Sequence, residues 1–157
     1  MPNEGARTLI VTGGSRRIGA AVSRLAGSRG YSVAVNFRSD EGAALGIVEE
    51  IRSSGGSAVA IRGDVALERD IIHLFHQAGE KLGPICGLVN NAGVTGGFSR
   101  VEALDAKDLA EVLSANIAGT ILCAREAVKR MSIRHAGRGG VASLASSPIV
   151  GLPEFVR

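Results

Sequence analysis

Short apolar runs and longer segments with helical periodicity alternate along this chain from its first ten residues onward. Runs of five or six residues, rich in Val, Ile and Ala, are typical of strands that are buried on both faces of a parallel sheet. We predict five such strands, at residues 8–12, 32–37, 58–62, 85–89 and 141–145.

The segments between these runs repeat apolar residues every three or four positions, which predicts amphipathic helices. The predicted helices cover residues 18–29, 40–53, 67–81 and 104–134, the last as one short and one long helix. Gly30 is typical of a helix end, and Asp40 is typical of a helix start. In the last segment, the apolar positions expected to face the core are Val112, Leu113, Ile117, Ile121, Ala124 and Val128.

Strands that alternate with helices of this length need crossover connections, and crossovers build a parallel sheet with helices on both faces. The predicted fold is therefore α/β, with a doubly wound parallel sheet of about five strands. Ligands bind beyond the carboxyl ends of the strands in such sheets. Four polar or glycine-containing segments fall at these ends and are expected to share one site: residues 12–19, 36–39, 64 and 90–93.

The first of these segments reads Thr-Gly-Gly-Ser-Arg-Arg-Ile-Gly and lies between a predicted strand and a predicted helix. That context matters because it brings the free N–H groups and the positive end of the helix to one point. Glycines let the backbone approach a ligand without a Cβ in the way. The loop is therefore interpreted as a pyrophosphate-binding turn of a dinucleotide site.

The length of 157 residues predicts a single domain, residues 1–157. A formal net charge of +3 suits an anionic ligand. Nucleic acid is not the expected partner, because the arginines are scattered and aromatic residues make up only 3% of the chain.

Cys86 and Cys123 lie in apolar stretches without the spacing of a redox or zinc motif. We expect two reduced, buried thiols and a cytoplasmic location. His73 and His76 are expected to face solvent, and no metal site is predicted. The sequence shows neither a signal-peptide pattern nor an apolar window of 18 residues, so no membrane association is expected.

Three motifs together resemble the short-chain dehydrogenase/reductases: the glycine loop at 12–19, Asp64-Val65, and Asn90-Asn91-Ala92-Gly93. The resemblance covers residues 1–140 most strongly, and residues 141–157 form a divergent tail. It implies a Rossmann-like fold that binds NAD or NADP and transfers hydride between the cofactor and a small carbonyl or alcohol substrate. Full-length members of the family are expected to be homo-oligomers.

The resemblance also implies roles for individual residues. Asp64 would bond the adenine amine, with Val65 beside it, although a helix cap for the segment at Leu67 is an alternative for Asp64. Residues 91–93 would line the adenosine ribose, although an ordinary strand-ending turn is an alternative there. The residues implied for cofactor binding are Gly13, Ser15, Arg16, Arg17, Ile18, Gly19, Asn36, Arg38, Ser39, Asp64, Val65, Asn91, Ala92 and Gly93.

The end of the second strand predicts NADP(H) over NAD(H). An acidic residue there would bond the ribose 2′-hydroxyl, but this chain has Asn36-Phe37-Arg38-Ser39. Arg38 can pair with a 2′-phosphate, and Ser39 can donate to it. Arg17 occupies a position where the family commonly has glycine, and it is expected either to add a phosphate contact or to be a solvated arginine.

The catalytic residues implied by the resemblance are Asn116 and Ser147. The alternative for Asn116 is a surface asparagine, and Ser146 is the alternative to Ser147. The family's general acid is a tyrosine with a lysine four residues later, but the single tyrosine, Tyr31, is followed at that distance by Val35.

The chain therefore resembles a truncated member of the family, which lacks the C-terminal strands and is expected to be catalytically inactive. Two other interpretations stay open. One is a non-catalytic NADP-binding or interaction domain. The other is a non-functional product of a frameshift or an early stop.

Overall fold

The structure of the protein is a computed structural model, and it describes residues 7–96, 99–131 and 139–143. The strands are β1 (Thr8–Val11), β2 (Ser32–Phe37), β3 (Ser57–Arg62), β4 (Ile85–Asn90) and β5 (Gly140–Ser143). The α-helices are α1 (Arg17–Ser28), α2 (Glu41–Ser53), α3 (Glu68–Leu82), α4 (Ala106–Leu113) and α5 (Thr120–Met131). A π-helical segment (Ser114–Gly119) joins α4 to α5, and a 3-10 turn (Val101–Ala103) precedes α4.

The five strands of the described residues are parallel and lie in the order β3-β2-β1-β4-β5. The α/β fold predicted from the alternating pattern is confirmed. The chain adds β2 and β3 on one side of β1 and then crosses to the other side for β4. This reversal makes the β1/β4 boundary the point where a doubly wound sheet opens a crevice for ligands.

Successive side chains of a strand point to opposite faces of the sheet, and they pack into two hydrophobic cores, one on each face. Val33 and Val35 of β2 pack under α1 and α2. Ile10 of β1 and Leu88 of β4 pack under α3 and α5. The predicted apolar face of α3 is confirmed, since Ile71, Leu74, Phe75 and Ala78 are all buried.

The bounds of α1 and α2 follow the sequence signals. Gly30 has a φ of +80°, the left-handed conformation that ends α1 at low cost. The side chain of Asp40 accepts a hydrogen bond of 3.0 Å from the backbone N–H of Ala43 and caps α2. His73 and His76 are exposed, as expected.

The predicted buried side of the 104–134 segment is wrong. Leu113, Ile117, Ile121 and Val128 are 46%, 53%, 62% and 55% exposed. Smaller residues face the sheet in their place, among them Ala115, Gly119, Cys123 and Ala127. The four bulky apolar residues form an exposed stripe, although Glu126 and Met131 are buried beside the small residues.

Within the described residues, no helix is long and apolar enough to cross a membrane.

Cys123 is fully buried, and burial raises the pKa of its thiol to about 12. Cys86 is half-buried, and burial raises its pKa as well. Both thiols are therefore protonated at neutral pH and weakly reactive.

Candidate cofactor site

A cavity of 490 Å³ opens at the carboxyl ends of the strands, beside the β1/β4 boundary. It is lined by Gly13, Ser15, Arg16, Arg17, Ile18, Asn36, Phe37, Arg38, Ser39, Gly63, Asp64, Val65, Asn91, Ala92, Gly93, Val94, Thr95 and Ala115. The structure therefore brings together every residue implied for cofactor binding except Gly19. Cofactor binding by these residues stays a prediction.

Thr12 and Asn91 fasten the glycine loop to the end of β4. The hydroxyl of Thr12 accepts hydrogen bonds of 3.0 Å from the backbone N–H groups of Asn91 and Ala92. The Asn91 amide Nδ2 donates in return to the carbonyl oxygens of Thr12 and Gly13, at 3.0 and 3.1 Å. Thr12 lies in the 12–19 segment that was expected to share the site, but it was not among the individual residues implied for cofactor binding.

Gly19 supports the loop from behind the cavity. A Cβ on Gly19 would lie 2.5 Å from Nδ2 of Asn91 and would overlap the carbonyl oxygen of Gly13. The first turn of α1 can approach the loop this closely only because position 19 has no side chain.

The N-terminus of α1 faces the cavity without an anionic partner of its own. Helices α2, α3 and α4 each have an acidic residue in the first turn, whereas α1 has none. In the described part of the chain, the side chain of Arg16 at the N-cap makes no capping bond. The first-turn N–H groups and the positive helix end are therefore available to an anion.

Arg17 begins α1 in a strained backbone conformation. Its φ of +49° lies in the left-handed region, where a non-glycine residue costs about 1 to 2 kcal/mol. Backbone strain of this kind clusters at functional sites. A glycine at this position would be free of the strain, which agrees with the residue that is common in the resembled family.

Asn36 is buried and engaged with the protein backbone. Its Oδ1 accepts from the N–H of Gly13 at 3.2 Å. Its Nδ2 donates to the carbonyl oxygens of Ile61 and Gly63, at 3.3 and 3.0 Å. Asn36 thus holds the glycine loop and the end of β3 to β2, a positioning role that the sequence did not reveal.

Asp64 folds its own loop while it lines the cavity. Its Oδ1 accepts from the N–H of Ala66 at 2.9 Å, and its N–H donates to Oδ2 of Asp70 at 2.9 Å. The N-cap position of α3 is held by Leu67, so the alternative of Asp64 as the helix N-cap is wrong. The bond to the adenine amine stays a prediction.

Two arginines at the rim of the cavity lie near carboxylates. Arg38 Nη1 is 3.3 Å from Oε1 of Glu111, and Arg16 Nη1 is 3.7 Å from Oδ2 of Asp40. Both pairs are solvent-exposed, and exposed ion pairs are weak. The positive charge at the rim therefore remains available to an incoming phosphate.

Asn116 lies in the π-helical segment, where the helix is locally wider. Its Oδ1 accepts from the N–H of Val94 and its Nδ2 donates to the carbonyl of Val94, both at 2.8 Å. The amide thus pins the chain after β4 to the helix. The alternative of a surface asparagine is wrong, and the catalytic role stays a prediction.

Gly119 lets the π-helical segment approach the cavity wall. A Cβ there would lie 2.5 Å from the carbonyl oxygen of Val65. The π geometry was not predicted, although an asparagine and a glycine in mid-helix were the signals for it.

Ser147 and its alternative Ser146 lie outside the described residues. Tyr31 directly precedes β2 and so lies at the amino-terminal edge of the sheet, with the guanidinium of Arg7 4.7 Å from its ring centroid. A six-residue strand spans about 20 Å, which separates this ring from the cavity at the opposite edge.

Comparison with known proteins agrees with this geometry. The short chain dehydrogenase family model matches residues 7–149. The chain belongs to this family.

Several relatives share this region. The chain is 40% identical over 141 residues to an uncharacterized oxidoreductase, YgfF, of Escherichia coli K12, covering 87% of this chain and 57% of that protein. It is 34% identical to glucose 1-dehydrogenase 2 of Bacillus subtilis, covering 89% of this chain and 54% of that protein. The chain spans about half the length of these relatives.

Solved structures support the same assignment. A dehydrogenase/reductase from Sinorhizobium meliloti 1021 superimposes with a TM-score of 0.76 at 34% identity, covering 79% of this chain and 49% of that one. A short-chain dehydrogenase/reductase variant from Serratia marcescens superimposes with a TM-score of 0.75 at 32% identity, covering 83% and 53%. Both likenesses agree with the family assignment, and each covers about half of the solved chain.

Proposed function

We propose that this chain binds NADP(H) in preference to NAD(H), as the cofactor-binding part of a reductase that transfers hydride to or from a small carbonyl or alcohol. The observation that carries the proposal is the cationic rim of the cavity, formed by Arg16, Arg17 and Arg38. The residues at the end of β2 are Asn36, Phe37 and Arg38, with no carboxylate to bond a ribose 2′-hydroxyl. A 2′-phosphate suits this rim better than a hydroxyl does.

The chemical character of the residues that line the cavity fits the successive parts of a dinucleotide. The acid-free N-terminus of α1 would receive the pyrophosphate, and Arg38 with Ser39 would receive the 2′-phosphate. Asp64 and Val65 would flank the adenine, and residues 91–93 would flank its ribose. A bound cofactor would supply or accept hydride. Asn116 orders the segment at Val94, which lines the same cavity.

Turnover by these 157 residues alone should be near background. A positioned proton donor contributes about a hundred- to ten-thousand-fold in rate. The only tyrosine, Tyr31, lies at the far edge of the sheet and has no lysine four residues on. Ser147 is the proposed substrate-orienting residue.

Two alternatives are retained, a non-catalytic NADP-binding domain and a non-functional product.

Two thiols without a disulfide, at Cys86 and Cys123, support a location in the reducing cytoplasm. The exposed stripe formed by Leu113, Ile117, Ile121 and Val128 supports a homo-oligomer.

Thermal melts and calorimetric titration with NADPH and NADH test the proposal. Because a ligand that binds only the folded state stabilises it, NADPH at 100 times its dissociation constant should add about 2.7 kcal/mol. NADPH should bind at least tenfold tighter than NADH. No stabilisation by millimolar NADPH would favour the non-functional product, and tighter binding of NADH would overturn the cofactor preference.

Replacing Arg17 by glycine should separate strain from function. The free energy of unfolding should rise by about 1 kcal/mol, because glycine adopts the left-handed conformation without a Cβ clash. NADPH affinity should fall several-fold, because a positive charge beside the phosphates is lost. Urea unfolding and calorimetry measure the two effects.

The matched control is Arg69→Gly, an exposed arginine in the first turn of α3 with an ordinary helical backbone. There, glycine should lower stability by about 1 kcal/mol and leave NADPH affinity unchanged. If Arg17→Gly kept full NADPH affinity, Arg17 would be the solvated arginine of the alternative interpretation.

A further inference from the structure

Arg38, the cation proposed to receive the 2′-phosphate, already has an anionic neighbour in this structure. Its Nη1 donates to Oε1 of Glu111 at 3.3 Å. The two residues are 73 positions apart and belong to different parts of the fold. Arg38 follows β2, and Glu111 lies near the end of α4.

The pair crosses the rim of the cavity. Arg38 lines the cavity on the β2 side, and Ala115 lines it on the helical side. Glu111 lies one turn before Ala115, so it stands on the same side of the helical segment at the edge of the opening. The carboxylate therefore occupies the neighbourhood that an anion bound to Arg38 would need.

We propose that Glu111 competes with the 2′-phosphate of NADP(H) for Arg38 and so weakens NADP(H) binding selectively; the inference rests on the proposed function. A phosphate and a carboxylate that approach the same guanidinium repel each other, so one must withdraw or the phosphate must bind more weakly. NADH has a hydroxyl in place of that phosphate and does not meet this competition.

The ion pair between Arg38 and Glu111 is weak enough for a bound cofactor to separate it. Both side chains are 54% exposed, and the contact is a single hydrogen bond rather than a bidentate one. Such pairs are weak and are screened by salt. Glu111 thus tunes the affinity for NADP(H) rather than preventing binding.

The test is calorimetric titration of the 157-residue chain and its Glu111→Gln variant with NADPH, NADH and adenosine 2′,5′-bisphosphate. Glutamine keeps the size of the side chain and removes its charge. We expect the variant to bind NADPH and the bisphosphate about three- to tenfold tighter at low salt, with NADH affinity changed less than twofold. At 1 M salt the gain should largely disappear.

Glu80→Gln is the matched control, because Glu80 is also exposed but lies near the C-terminal end of α3, at the opposite edge of the sheet. It removes the same charge and should leave all three affinities unchanged. In an Arg38→Met background the gain from Glu111→Gln should shrink, since the competition requires the guanidinium.

The outcomes separate this inference from the function on which it rests. If neither protein binds NADPH or NADH, both the proposed function and the inference are overturned. If the wild-type chain binds NADPH but Glu111→Gln binds it no tighter, the inference alone fails. Weaker NADPH binding by the variant would mean that Glu111 orients Arg38, and an equal gain for NADH would mean that it acts elsewhere; each contradicts the competition.

Discussion

Gly19→Ala should abolish measurable dinucleotide binding and lower the free energy of unfolding by about 2 to 4 kcal/mol. The added Cβ would lie 2.5 Å from Nδ2 of Asn91 and would overlap the carbonyl oxygen of Gly13. That carbonyl is backbone and cannot rotate away as a side chain would. The clash must therefore push α1 away from the loop.

The same displacement breaks the site. Asn91 Nδ2 holds the carbonyls of Thr12 and Gly13, so moving either side of this contact loosens the loop from β4. The N–H groups at the start of α1 would then no longer point at the pyrophosphate position. Stability and binding should fall together, as urea unfolding and titration with NADPH would show.

Gly46→Ala is the control for this substitution. Gly46 lies inside α2, and none of the described residues comes within 4 Å of a Cβ built there. Alanine should stabilise the protein by about 0.5 to 1 kcal/mol, because it is the better helix former, and binding should not change. If Gly19→Ala bound NADPH as tightly as the wild type, the close packing of α1 would not be needed for the site.

Much of the fold and of the site could be predicted because the signals are local in sequence. The glycine loop lies between a strand and a helix, and Asn91 and Arg38 directly follow strands. Once the sheet is known to be parallel, the ends of its strands share one edge, and the motifs must converge there.

The rest could not be predicted because it depends on distances between elements. The buried side of α5 was predicted from size and periodicity, but the helix packs through Cys123 and Ala127 and exposes Ile121 and Val128. Asn36 carries no local sign of the three backbone groups it joins. Contacts such as that of Arg38 with Glu111, 73 positions apart, exist only in the folded chain.

A buried carboxylate on α5, that of Glu126, is expected to contribute strongly to the free energy of unfolding. Glu126 is only 3% exposed, yet it lies against three cations. Arg130 Nη1 and Lys129 Nζ donate to its carboxylate at 2.7 and 2.8 Å, and Arg125 Nε donates to it at 3.2 Å. The guanidinium of Arg130 also lies over the ring of Phe75, 5.3 Å from its centroid, which ties α5 to α3.

The pKa of Glu126 records the balance of these contacts. Burial alone would raise it, but the hydrogen bonds and charges of Lys129 and Arg130 outweigh burial and lower it from 4.5 to about 2. A carboxyl whose pKa is lower in the folded state stabilises the protein above its unfolded pKa. The shift corresponds to about 3 kcal/mol at pH 7, which is lost as the pH falls from about 4.5 through 2.

Glu126→Gln should therefore lower the free energy of unfolding by about 2 to 3 kcal/mol at pH 7, since the amide keeps the shape but not the charge. The difference from the wild type should be constant between pH 7 and pH 5 and should narrow below about pH 4.5, as the wild-type carboxylate loses its advantage. Urea unfolding of both proteins from pH 7 to pH 3.5 measures this difference. Glu49→Gln is the control, because Glu49 lies at an exposed position of α2. It should lower the free energy of unfolding by less than about 0.5 kcal/mol throughout this pH range. A penalty for Glu126→Gln that stayed the same down to pH 3.5 would mean that packing rather than charge accounts for it, because only a charge effect can disappear as the carboxylate takes up its proton.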